Sequence, residues 1–128
     1  MSVIHELKAT SKLDDGTVLS GTESVPADGS VTLDVTVAGS TTNESHALAI
    51  TTAKLRSFFL ISSQNVTIKT NSTGSPNNTW NLIAGVPFVW SADAAYFTNP
   101  VSANITTIYI TNSGTTSARV RLRAGVNS

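Results

Sequence analysis

NVTIKTNSTGSPNNTWNLIAGVPFVW, residues 65–90, decides how this chain is read. Residues 66–70 alternate apolar and polar side chains, the period of a strand with one buried face. Residues 71–78 are Asn, Ser, Thr, Gly and Pro, a loop composition. Residues 79–84 extend again, Gly85 turns, and residues 87–90 are almost wholly apolar. The stretch reads as strand, turn, strand, tight turn, strand, and nothing in it looks like reaction chemistry.

The pattern continues on both sides. Residues 2–13 read as a first strand, closed by the Asp14-Asp15-Gly16 turn, where Gly16 can take the positive φ of an Asp-Gly hairpin. Residues 17–24 form a second, weaker strand that Gly21 threatens to break, and residues 26–29 a turn. Val31, Leu33, Val35 and Val37 alternate with polar residues in the cleanest strand of the chain. Residues 38–43 are a small polar loop. Residues 45–61 admit two readings: strand 45–51, a helical turn at 53–56 and strand 57–62, or one helix using Leu48, Thr52, Leu55 and Phe59. Downstream, residues 104–111 and 117–124 are strands joined by Asn112-Ser113-Gly114. Turns about every ten residues predict an all-β chain, a single antiparallel β-sandwich or jelly roll of about eight strands. It is expected to be one domain over 1–128, with 1–12 an N-terminal arm or edge strand.

Composition narrows the function. With 128 residues the chain can bury a core without staples, and with no Cys it has no disulfide framework or thiolate site. Eight basic and eight acidic residues cancel, so the field of a general nucleic-acid binder is absent. No apolar run is long enough to span a bilayer. MSVIHELKATSK has no apolar signal region, so synthesis in a cytoplasm is expected. The Asn-x-Ser/Thr motifs at Asn43, Asn65, Asn71, Asn77 and Asn104 are then expected to carry no glycan.

Reaction chemistry finds little support. His5 and His46 are the only imidazoles, too few and badly spaced for zinc, and read as structural. Asp14, Asp15 and Asp28 sit in turns, without the ladder of a calcium loop. No nucleophile elbow, phosphate loop or dinucleotide fingerprint occurs. The expectation is no enzyme, no cofactor and no metal. Trp80, Trp90, Tyr96, Phe97 and Tyr109 could make an aromatic sugar platform. Trp80 in step with Leu82, and Trp90 with Phe88, argue instead for core or subunit contact. Arg119, Arg121 and Arg123 alternate on a strand, about 6.5–7 Å apart on one face. They await either carboxylates of a partner, or solvent and acidic neighbours within the chain.

The segments at 33–37 (LDVTV), 47–50 (ALAI), 53–62 (AKLRSFFLIS), 66–90 and 105–122 (ITTIYITNSGTTSARVRL) carry a resemblance. From Gly29 onward the chain resembles small tailed-bacteriophage proteins encoded among virion structural genes, and looks like a jelly-roll capsid decoration, or cement, protein. The resemblance implies a non-enzymatic virion structural protein on the outer capsid surface. It implies a homotrimer bound to the major capsid protein lattice, with no nucleic acid or membrane partner. Shell contact is then expected through Val3, Ile4 and Leu7, with the Arg119, Arg121 and Arg123 row. Subunit contact is expected around Phe88, Trp90, Tyr96 and Phe97. The alternative is a carbohydrate- or receptor-binding β-sandwich module of a phage fibre or baseplate.

Overall fold

The structure, a computed structural model, describes residues 3–12, 14–93 and 97–128. Among these, ten strands form: β1 (Val3–Lys12), β2 (Val18–Ala27), β3 (Gly29–Val37), β4 (Thr41–Ile50), β5 (Leu55–Ser62), β6 (Val66–Thr70), β7 (Thr79–Leu82), β8 (Phe88–Ser91), β9 (Ile105–Asn112) and β10 (Ala118–Val126). Two four-stranded sheets, ordered β3-β10-β5-β8 and β4-β9-β6-β7, lie face to face, and β1-β2 forms a separate two-stranded sheet. Every pairing is antiparallel. β3 pairs with β10, β4 with β9, β5 with β8 and β6 with β7. First strand against last, nested inward to a central hairpin, is the jelly-roll order. The fold is therefore an all-β antiparallel sandwich, eight strands in its two sheets, preceded by a hairpin.

Alternation puts Phe58, Leu60, Ile68, Ile108, Ile110 and Val120 between the sheets, fully buried. At the centre, Phe58 meets Trp80 and Phe88 edge-on, with ring centroids 5.4 and 5.6 Å away, and Trp80 meets Phe88 at 5.9 Å. Such edge-to-face contacts add to the burial of the rings themselves. Stretch 65–90 thus supplies two members of the trio and β5 the third.

Asparagines tie the ends. Asn71, at φ 67, donates through Nδ2 to Asn77 Oδ1 (2.7 Å) and the Asn104 carbonyl (2.8 Å), and its Oδ1 accepts from Thr106 N–H (2.9 Å). Asn104 Oδ1 accepts from Thr52 N–H at 3.0 Å. At the other end, buried Asn112 donates to the Val37 and Thr116 carbonyls and accepts from Gly114 N–H. There Gly39 runs so close to Thr115 that a Cβ would stand 2.4 Å from its carbonyl oxygen. Side chains that bond backbone locally suit turns for this reason.

Several boundaries differ from the sequence reading. Residues 45–61 contain no helix beyond a 3-10 turn at Thr52–Lys54, so the two-strand reading holds. β4 starts at Thr41, because Asn43 adopts φ 52 as a bulge and bonds Thr111 while the ladder continues on both sides. β2 is unbroken at Gly21 and includes Pro26 and Ala27; Asp28 alone separates it from β3. Pro26 is tolerated because β2 has a partner on one edge only.

Candidate attachment surface

The outer face of the β3-β10-β5-β8 sheet follows from register. Val120, Leu122 and Ala124 of β10 are buried, so Arg119, Arg121 and Arg123 point outward, as their spacing requires. Arg119 is taken: Nε donates to Asp34 Oδ1 at 3.0 Å and Nη2 to Oδ2 at 2.7 Å. That fork, then the charges of Arg119 and Arg121, hold the Asp34 carboxyl below its ordinary value, and Asp34 raises Arg119 in turn. Arg121 and Arg123 have no ion pair among the described residues. Beside them in the ladder stand Ile61, opposite Arg121, and Phe59, opposite Arg123. Val89, opposite Phe59 on edge strand β8, is 42% exposed. Two guanidiniums without an ion pair, Arg121 across the ladder from Asp34 and Arg123 near His5, thus border an apolar strip.

Sequence reasoning missed that strip, although one signal for it was present. Phe58-Phe59-Leu60-Ile61 is apolar throughout, and a strand can bury only alternate residues on one face. Half of the run had to look outward.

The second surface is the hairpin. β1 is no loose arm: it pairs with β2 over ten positions, from Val3↔Ala27 to Lys12↔Val18. Its near half rests on the body. Val25, Ala27 and His5 are buried. Glu23 accepts from the Ser91 hydroxyl at 2.9 Å, and Asp28 N–H donates to the Val126 carbonyl at 3.0 Å. Burial, then the positive charge of Arg123, push the His5 pKa below its ordinary 6.5. The far half stands in solvent: every described residue from Thr10 through Thr22 is exposed, Leu19 at 78% and Val18 at 54%. Of the expected anchors, Val3 and Leu7 are half-buried on the inward face, and Ile4 points outward, 70% exposed.

The expected aromatic contact divides. Phe88 and Trp90 turn inward and pack against the core. Trp90 also donates its indole N–H to the Phe97 carbonyl at 3.0 Å, while the Phe97 ring is 77% exposed. Tyr96 lies outside the described residues. Trp80 is buried and Tyr109 lies half-buried on the outside of the other sheet, opposite Lys69. The four described rings do not form one platform.

His46 Nε2 lies 2.8 Å from Glu44 Oε2 at the open flank of β4. Among the described residues no group of three His, Asp or Glu converges to hold a metal ion. Among the described residues, one shallow depression is lined by Pro26, Asp28, Arg56 and Asn127, and another by Asn65, Thr67, Asn81 and Thr111. In the first, Arg56 is hydrogen-bonded to Asp93; in the second, Thr67 donates to Asn81. In both, polar groups of the lining are already hydrogen-bonded within the chain.

No protein-family model and no curated protein sequence matches the chain. Among solved structures it is similar to the cupin domain of Cnp3 from Schizosaccharomyces pombe, at 10% identity and a TM-score of 0.42, over 96% of this chain and 83% of that one.

Proposed function

We propose that the protein is a non-enzymatic virion structural protein that decorates and stabilises a phage capsid shell, bound to the major capsid protein lattice as a homotrimer. One observation supports this most: a well-packed jelly roll carries a projecting hairpin with apolar side chains in solvent. A folded body with a protruding two-stranded element is suited to gripping a repeating surface. The outward hairpin face offers Ile4 beside Pro26, paired and both exposed. The outer backbone edges of β1 and β2 have no strand partner among the described residues and can extend a neighbour's sheet. Weak single contacts add up when several subunits engage together.

The reading as a carbohydrate module is less well supported, since it needs exposed rings and Trp80 is buried while the Trp90 N–H is occupied.

The test uses heads of the parent phage that lack this protein. The purified chain should co-sediment with them in fixed stoichiometry and appear as regular density on the outer surface. Ile4→Asp should weaken that binding roughly tenfold or more, the worth of one well-buried aliphatic side chain. Absence of the chain from intact heads, or equal binding by the variant, overturns the proposal.

A further inference from the structure

Among the described charged groups without an ion pair, Glu6, Lys8, Lys12 and Lys54 are scattered and exposed, and two sets lie beside exposed apolar side chains. Arg121 and Arg123, without ion pairs among the described residues, flank Phe59, Ile61 and Val89. The described carboxylates of the body are engaged within the chain: Asp34 by Arg119, Asp93 by Arg56, Asp28 by Ser128 and Glu44 by His46. On the hairpin, Glu23 is held by Ser91. Asp14 is exposed at the tip with no side-chain hydrogen bond among the described residues, and Asp15 there, also exposed, accepts through Oδ1 from Thr17 N–H. After Gly16 and Thr17 come Val18 and Leu19, apolar and exposed. One surface is basic and apolar, the other acidic and apolar. In a single chain the described residues of the tip are all exposed.

We propose that the hairpin tip of one copy docks on the outer face of the β3-β10-β5-β8 sheet of a second copy. Asp14 and Asp15 meet Arg121 and Arg123, and Val18 and Leu19 cover Phe59, Ile61 and Val89. Arg suits this pairing, because its fork binds a carboxylate with two bonds. Val18 and Leu19 lie on opposite sides of the hairpin, so a tip entering end-on buries both. Lys12, at the end of β1, is the cation nearest the turn in sequence; it lies on the Val18 side, opposite that residue. The contact is heterologous: each copy gives a tip and receives one. Such contacts close into a ring or grow into a chain, and a ring of three fits the proposed trimer. The five contact positions on the sheet differ from Phe88 and Trp90, which face the core.

The roughly 17 Å of strand beyond the docked half, five residues at 3.4 Å each, gives the tip reach past its own body.

The inference does not depend on the shell, because self-association is read on the purified chain alone. Sedimentation of the wild-type chain should show a closed oligomer. Asp14→Lys with Asp15→Lys should sediment as monomer, and so should Arg121→Glu with Arg123→Glu. All four changes in one chain restore opposite charges across every joint of a ring and should recover association. Leu19→Ser, at an exposed position where folding is not at stake, should weaken association roughly tenfold or more. A wild-type monomer at high concentration, unchanged association in the charge variants, or no recovery on charge exchange overturns the proposal.

Discussion

The jelly-roll body and the hairpin before it are written in the same alternation of residues, yet they are held in different ways. In the body, each inward side chain meets the opposite sheet, and the Phe58–Trp80–Phe88 trio lies at the centre. In the hairpin, Val25 and Ala27 are the buried apolar residues among those described, and they are buried only because β10 and β5 pass beneath. A two-stranded ribbon has one face too many for its own side chains, and alone it is marginal in water. The body supplies order, and the hairpin borrows it. Its distal half, which borrows nothing, keeps apolar groups available for another molecule.

The largest effect should come from the centre of the body. Phe58→Ala removes the ring that touches both Trp80 and Phe88, at a site with no exposure. A loss of about 3–5 kcal/mol is expected, measured by denaturant unfolding. The hairpin should unfold in the same transition, because its support goes with the core. A loss under about 1 kcal/mol would mean that the trio is not the centre of packing.

Much of this contrast can be read from residues. Val31 to Val37 and Val66 to Thr70 show their buried faces by period alone, and Asp14-Asp15-Gly16 marks the first hairpin, with Gly16 at φ 88. The arginine row was legible because Val120 and Leu122 lie between its members. Its pairing was less so. Arg119 meets Asp34 only because β10 runs antiparallel to β3, eighty-five residues away in sequence. The apolar strip needed the same knowledge: Phe59 stands beside Arg123 and Val89 through strand pairing that no local pattern encodes. Pro26 misled, since Pro-Ala-Asp-Gly is good turn chemistry, and only the lack of a second partner for β2 lets it stay extended.

A smaller change should separate the two regions. Gly125 lies under the hairpin, and a Cβ there would stand 2.6 Å from Ser57 Oγ, 3.1 Å from His5 Cδ2 and 3.3 Å from Ala27 Cβ. Ser57 Oγ also accepts the Gly125 N–H at 3.0 Å, so the hydroxyl cannot turn away without losing that bond. Gly125→Ala should cost about 1–3 kcal/mol by overpacking. Hydrogen exchange should show the loss concentrated in β1 and the near half of β2, with the β6 and β9 amides little changed. Uniform loss across both sheets would mean that the hairpin and body are one cooperative unit.

The smallest effect is the most specific to the joint. His5 is buried at the hairpin base, beside Arg123 of β10, with Glu23 on the same hairpin face. Burial first, and Arg123 second, lower its pKa from the ordinary 6.5. A lowered histidine pKa means that the released or unfolded chain takes up the proton more readily than the docked one. Docking is therefore at full strength above about pH 6.5, weakens as pH falls through that value, and levels off below the docked pKa. The carboxylates Asp15, Asp28 and Asp34 also have lowered values, from 3.8, so their contribution is lost only at lower pH, outside this window. Hydrogen exchange of the β1 and β2 amides, corrected for intrinsic rate, should lose protection as pH falls below about 6.5. His5→Gln keeps a polar side chain without the titration and should flatten the profile. Equal pH dependence in both proteins would assign the effect to another group and leave His5 as filler at the joint.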